Sequence, residues 1–368
     1  MIIVMTKKLL PIILCVLMIF SNTSCSLRVE KPHDPSSEGV VRNSESIVSS
    51  DSEPDKAPTG VDTDGNGEEE NVNGESTPNS GSSDSGSAGN ESSPRPTEGL
   101  YFPTDFSFLD GIDKNVHFSD KAPKDPAGDW YPGKTTRDLT TGEVKYNWDR
   151  AADTLALIDK YDAIYRGSKE EKVVYLTFDC GYEYRTPDYP DGVTADILDT
   201  LKEKNVPGTF FVTGDYLKSD IALVRRMLDE GHIVGNHTMH HPRMTQVTAE
   251  EFVKEIKDSN DLLKSQIPSA PDMIFYRPPG GAANEWTLAL AHEMGLKTTF
   301  WSATEPDFDP ANQPDPAVTL NNDKVKLHNG CVYLLHAVSV TNAQILGEFI
   351  DYVLAEGYEI RPLSEFVR

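Results

Sequence analysis

The sequence has 368 residues and a formal charge of −25, from 34 Lys and Arg against 59 Asp and Glu. That balance excludes a nucleic-acid partner bound through clustered cations on phosphate, and it carries no information about fold. The length leaves room for two or three domains of about 100–200 residues each. Residues 1–25 carry Lys7 and Lys8, then an apolar run from Leu9 to Phe20, then small residues up to Cys25. This is the pattern of an export signal, and its apolar run falls short of the ~20 residues that span a bilayer.

Cys25 resembles the attachment cysteine of a lipoprotein, with Asn22 where such sites usually carry Leu. The expected location is therefore outside the cell membrane, either anchored by a lipid on Cys25 and facing the cell wall, or secreted. Residues 26–98 are Ser, Gly, Glu, Asp, Asn and Pro with hardly an aromatic, as in NSGSSDSGSAGNESSP at 79–94. Such a stretch buries too little apolar surface to offset its ordering entropy and reads as a disordered acidic tether. No membrane contact is expected apart from the anchor, and a monomer is expected.

Residues 99–170 form an N-terminal extension, expected to pack on the domain that follows, with Trp130, Trp148, several Tyr and a helical pattern near 149–160. From 171 to 368 strands alternate with helices. VVYLTFD is an apolar strand, VTADILDTLKEKN an amphipathic helix stopped before Pro207, GTFFVTG a strand, and ALVRRMLDEG a helix closed by Gly231. HIVGNH is the next strand. Thr248 and Glu251 form a capping box opening a helix with Phe252, Ile256 and Leu263 on its apolar face. MIFYRPP, KTTFWSA and CVYLLHA read as strands, WTLALAHEMG and AQILGEFIDYVLAEG as helices, and YEIRP as a last extended piece. Repeated strand–helix units with β-branched strands imply a parallel sheet covered by helices. Their number points to a closed or nearly closed α/β barrel.

Asp179, His237, Arg277 and His336 each come at the end of an apolar strand, and Asp307 follows the strand that ends near Trp301. In a barrel those ends share one face, where active sites are built. HTMHH sets His237 and His241 four apart, which presents both imidazoles to one ion if the segment turns helically; His240 reads as facing outward. A hydrolytic metal site usually takes a third protein ligand and keeps positions open for water and substrate. Asp179 is placed to accept a proton from water and His336 to deliver one to a leaving group. Asp307 can hold and polarise His336, and Arg277 can fix Asp179 through a bidentate pair that keeps it ionised. Backbone N–H groups around Gly280 and Gly281 can cradle an oxyanion, because glycine allows close approach; Trp301 is placed with them on the substrate side. The sum is a metal-assisted hydrolase of an amide or ester. Beyond Cys15 and Cys25 only Cys180 and Cys331 remain. One ends an apolar run and the other begins one, so in a parallel sheet they lie on the order of 15 Å apart, too far for a disulfide.

TFDCGYE, GNHTMHH, RPPGG and LLHA, in this order, are similar to the motifs of the polysaccharide deacetylases, the NodB-homology group of carbohydrate esterase family 4. The resemblance runs from about Trp148 to the C-terminus. YDAIYRG, TFDxGYE, DEGHIVGNH and LLHAVSVTNAQ resemble one branch, the sporulation-type peptidoglycan N-acetylmuramic acid deacetylases that make muramic δ-lactam. The resemblance implies a distorted (β/α) barrel that removes an acetyl group from a sugar nitrogen of cell-wall glycan, with a divalent metal ion, expected to be zinc. It implies Asp179 as general base, His237 and His241 as metal ligands, Arg277 as partner of the base and His336 as general acid. Most of the family carries a second Asp as third metal ligand. Here that position is Cys180, which leaves open a thiolate ligand or a small residue lining the site. The family's later Asp-Trp pair is Asp307-Phe308, which keeps the support of the acid and alters the binding wall. The rival readings are a chitin, xylan or N-acetylglucosamine deacetylase on the same fold, and an inactive glycan-binding homologue.

Overall fold

A 3-10 turn at Ser107–Leu109 is followed by a hairpin of β1 (Lys134–Arg137) and β2 (Val144–Asn147), paired antiparallel, and by helix α1 (Ala152–Lys160). The computed structural model describes residues 99–116, 130, 134–147 and 152–366; the export signal, Cys25, the tether and Trp148 lie outside the described residues. The predicted alternation then follows: β3 (Val173–Cys180), α2 (Val193–Lys204), β4 (Thr209–Val212), α3 (Gly214–Ser219), α4 (Ile221–Asp229), β5 (Ile233–Asn236), α5 (Ala249–Gln266), β6 (Phe275–Tyr276), α6 (Glu285–Glu293), β7 (Lys297–Thr298), β8 (Ala303–Thr304), α7 (Pro316–Lys326), β9 (Cys331–His336), α8 (Val340–Ala355) and β10 (Glu359–Ile360).

All pairs of the main sheet are parallel, in the order β7-β6-β5-β4-β3-β9-β8, with β10 added beside the start of β3. Its two ends, β7 and β8, are joined by the short segment 299–302. Five residue steps reach at most about 18 Å, whereas a flat path of seven strands would be about 29 Å wide. The sheet therefore curls into a barrel that is open only between β7 and β8. KTTFWSA, read as one strand, is thus two short strands with the crossing between them. Ile164 bridges to Thr299 in that crossing, and the Trp130 ring stacks on Phe300 at 4.5 Å.

The pleat of β3 sorts its residues. Val174, Leu176, Phe178 and Cys180 join the apolar cluster that also holds residues of α2 and α8, while Val173 and Tyr175 join a second cluster with Phe211 and Phe300. Side chains alternate along a strand, so Thr177 and Asp179 share the second side and Cys180 is turned away from it. Beside β3, β9 runs in a register that sets Val174 against Cys331 and Asp179 against His336. Cys180 thus lies six residues along from Cys331's neighbour, about 20 Å away, and both cysteines are free and buried.

Three elements escaped the sequence reading: the β1–β2 hairpin, α3 and α7. Helix α7 is mostly polar, so periodicity is weak there. Its start was nonetheless written in Asp315, whose side chain accepts from Val318 N, and in Pro316 at the first turn. The capping box of α5 forms as read, with Thr248 and Glu251 each accepting the other's backbone N–H.

Candidate active site

One cavity of about 1120 Å³ opens at the C-terminal ends of the strands, and Asp179, His237, His241, Gly280, Trp301 and His336 all line it. Arg277 and Asp307 stand behind it, each bonded to one of those residues.

Arg277 is fully buried. Its Nη1 donates to Asp179 Oδ1 at 2.8 Å, Nη2 to Thr177 Oγ1 at 2.8 Å and to the Phe300 carbonyl at 3.3 Å, and Nε to the Thr299 carbonyl at 3.1 Å. The expected bidentate pair is therefore not formed. The guanidinium spreads its donors between the carboxylate, β3 and the crossing segment, so it also ties the open edge of the barrel to β3. Its plane lies over Phe211, with Cζ at 4.1 Å from the ring centroid. Burial works against a charge on Asp179, but Arg277 overrides it and holds the carboxyl below the usual carboxylate range.

His237 Nδ1 donates to the Arg277 carbonyl at 2.8 Å, which turns the Nε2 lone pair toward Asp179 Oδ2, 3.5 Å away. Burial lowers its pKa to about 4, so the ring is neutral. His241 sits at the cavity mouth with its ring centroid 4.8 Å from that of His237. The two do not meet through a helical turn, as the spacing had suggested. Thr238 and His241 both adopt left-handed backbone, at φ of 69° and 57°, in a tight loop after β5. His240 does face outward, bonded to Glu255.

His336 ends β9, and its Nδ1 is 2.7 Å from Asp307 Oδ1, while its backbone N–H donates to Asp307 Oδ2 at 2.9 Å. Burial disfavours the imidazolium, yet the hydrogen bond and charge of Asp307 prevail and raise the pKa of His336 above its ordinary value. Asn342, in the first turn of α8, donates to Asp307 Oδ2 and to the His336 carbonyl. Phe308 stands 61% exposed beside the His336 ring, centroids 6.0 Å apart.

Gly280 and Gly281 lie in a 3-10 turn with φ of 61° and 68°. The Gly281 N–H is used within that turn, donating to Pro278 O at 2.9 Å, so it cannot serve an oxyanion. Gly281 is glycine for packing: a Cβ there would meet Trp301 at 2.8 Å and Trp130 at 2.9 Å. Both glycines line the cavity, and a Cβ at Gly280 would meet open space.

Cys180 neither lines the cavity nor approaches the imidazoles. It is fully buried in the apolar cluster, where burial pushes its thiol well above the usual range. The pleat that points Asp179 inward points Cys180 outward, so both sequence alternatives for it, ligand and lining residue, are corrected. Among the described residues, no group of three or more His, Cys, Asp or Glu is arranged to hold a metal ion.

The pattern of the polysaccharide deacetylase family matches residues 166–299. Over 212 residues the chain is 39% identical to the peptidoglycan-N-acetylmuramic acid deacetylase PdaA of Bacillus subtilis (strain 168), covering 58% of this chain and 78% of that protein. The chain belongs to the polysaccharide deacetylase family. It is an enzyme of amide hydrolysis. A chitooligosaccharide deacetylase of Rhizobium leguminosarum bv. trifolii is 36% identical over 169 residues, which cover 45% of this chain and 72% of that protein. The solved structure of Bacillus subtilis PdaA, a family 4 carbohydrate esterase, aligns with a TM-score of 0.57 at 34% identity, covering 65% of this chain and 95% of that one. A polysaccharide deacetylase of this kind matches the barrel expected from sequence.

The sequence reading missed Thr177, Asn342 and Glu183. The first two orient Arg277 and Asp307. Glu183 accepts from Thr194 N and from the Tyr216 hydroxyl, and so fixes the loop between β3 and α2. All three lie inside the motif stretches already quoted, but their partners are remote in sequence, and only the fold brings them together.

Proposed function

We propose that this enzyme removes the acetyl group from N-acetylmuramic acid in peptidoglycan, so that the freed amine can close on the lactyl carboxyl as muramic δ-lactam. The observation that carries the hydrolytic reading is the pairing of two oppositely prepared groups on adjacent strands. Arg277 lowers the pKa of Asp179, favouring the carboxylate, and Asp307 raises that of His336, favouring the imidazolium. They are register partners rather than groups approaching from different directions, so the acetamide must lie across the ends of β3 and β9.

In this reading Asp179 takes the proton of a water as its oxygen bonds to the acetyl carbon. His336 then gives its proton to the sugar nitrogen as the C–N bond breaks, and acetate and a free amine leave. The Gly280 turn faces the developing oxyanion. His237 and His241 fit a divalent cation: the neutral imidazole of His237 is oriented by a backbone carbonyl through its other nitrogen, and an ionised carboxylate stands beside it. These two residues would hold the ion, with Asp179 adjacent. A borderline cation such as zinc supplies Lewis acidity that lowers the pKa of water and polarises a carbonyl.

The muramic assignment rests on the PdaA relative and on the stretches shared with that branch; the chitooligosaccharide relative supports the alternative of a glucosamine-type substrate. Acetate release from N-acetylated cell-wall glycan by wild-type protein, lost in Asp179→Asn, tests the hydrolytic reading. Glycan binding without acetate would leave only the inactive homologue. Location is part of the proposal: a lipid on Cys25 holds the enzyme to the membrane, facing the wall. Cys25→Ala is expected to move the protein from the membrane fraction to the medium, and wild type found wholly in the medium would end the anchoring idea.

A further inference from the structure

The loop that carries His241 is unfavourable by itself. Thr238, a β-branched residue, and His241 both sit at positive φ, a region that such side chains rarely occupy unless the surroundings impose it. Local bonds account for part of the restraint. Thr238 N donates to Asn236 Oδ1 at 2.8 Å, His241 N to Thr238 Oγ1 at 2.9 Å, and Gly214 N to the Thr238 carbonyl at 3.0 Å. Gly214 also makes room for the loop, since a Cβ there would strike Met239 Sδ at 2.1 Å.

The rest comes from one carboxylate on α5. Glu255 Oε2 accepts two consecutive backbone N–H groups, Met239 at 2.9 Å and His240 at 2.8 Å, and Oε1 meets His240 Nδ1 at 2.8 Å. Its side chain is 16% exposed. A carboxylate receiving two amides makes charge-assisted bonds stronger than neutral ones, and α5 is a long helix capped at its start, so the anchor is rigid.

We propose that Glu255 is a positioning residue of the histidine pair: it clamps the strained loop between Thr238 and His241 so that both imidazoles face the same point. This rests on the reading of His237 and His241 as the pair that holds a cation. Groups that orient a ligand without touching the metal typically change metal affinity 10–100-fold when removed. The loop needs first an acceptor at the right reach, and the negative charge strengthens the bonds that this acceptor makes. Glutamine keeps that acceptor without the charge, and aspartate keeps the charge without the reach.

The test uses the metal-stripped full-length protein in two measurements. One is Co²⁺ titration followed by calorimetry and by the visible absorption of the bound ion. The other is amide hydrogen exchange over the His237–His241 segment without metal. Glu255→Ala and Glu255→Asp are each expected to weaken Co²⁺ binding 10–100-fold and to speed exchange at Met239 and His240. Glu255→Gln is expected to restore most of both, falling between wild type and Glu255→Ala, and His240→Ala, which keeps the two backbone bonds, to change neither. The proposal is overturned if Glu255→Ala lowers the melting temperature but leaves Co²⁺ affinity and exchange unchanged, or if Glu255→Gln is as poor as Glu255→Ala. Co²⁺ binding that survives His237→Ala would instead remove the cation reading of the pair, and the exchange measurement would then decide the clamp alone.

Discussion

Asp179→Asn and His336→Ala are each expected to lower kcat on an N-acetyl sugar by at least ~10²-fold, within the usual range for loss of a general base or acid, and to part company on an activated ester. An amine leaves only if its nitrogen is protonated, so the amide reaction needs both groups. A phenyl acetate releases a phenolate that needs no proton. The His336 variant should therefore recover much of its rate on that ester while the Asp179 variant stays inactive. Equal losses on both substrates would remove His336 from its role as leaving-group acid. The pH profile gives an independent check. Asp307 raises the pKa of His336, so the imidazolium of the wild type persists to pH values above the ordinary histidine range of about 6.5. Asp307→Asn removes the anion that holds it, lowers that pKa, and should move the alkaline fall of activity to lower pH.

Arg277→Leu is expected to cost about 3–5 kcal/mol of stability as well as activity, the usual price of removing one partner from a buried pair. Asp179 is 7% exposed and would be left without its cation, and the Thr299 and Phe300 carbonyls would lose a donor at the open edge of the barrel. For a domain of this size the loss corresponds to a fall of roughly 10 °C in Tm. The double replacement Asp179→Leu with Arg277→Leu should recover much of the stability, because neither charge of that pair is left without its partner, and none of the activity. Asp179 has a depressed pKa in the folded protein, so the pair's contribution is present above the unfolded carboxylate value of about 3.9 and is lost as pH falls through the folded value. The stability gap between wild type and Arg277→Leu should accordingly narrow in strong acid. A single Arg277→Leu variant as stable as wild type at neutral pH would contradict this account of the pair.

The alternation of β-branched strands with capped amphipathic helices was enough to read the barrel, and the polar residues at the strand ends were enough to place the site. What escaped the sequence has physical causes. The gap between β7 and β8 is set by how far a short crossing can reach, which no periodicity records. The side of β3 that Cys180 occupies was in fact written in the strand, where Tyr175, Thr177 and Asp179 alternate with Val174, Leu176, Phe178 and Cys180; burial of all eight residues leaves neither face open to solvent. The four-residue spacing of His237 and His241 suggested a helix, whereas the loop is held by Asn236, Glu255 and Gly214. Gly280 and Gly281 look equivalent in RPPGG and both line the cavity, and only the fold shows that Gly281 is also packed against Trp301 and Trp130.

The sugar that loses its acetyl group can be identified directly. Purified peptidoglycan glycan strands, with and without stem peptides, should be incubated with wild-type protein and with Asp179→Asn, digested to disaccharides and read by mass spectrometry. The expected result is loss of the acetyl group from muramic acid residues that lack peptides, with closure to the δ-lactam, in the wild-type sample alone. Acetyl loss confined to glucosamine residues, or none from either sugar, would contradict it.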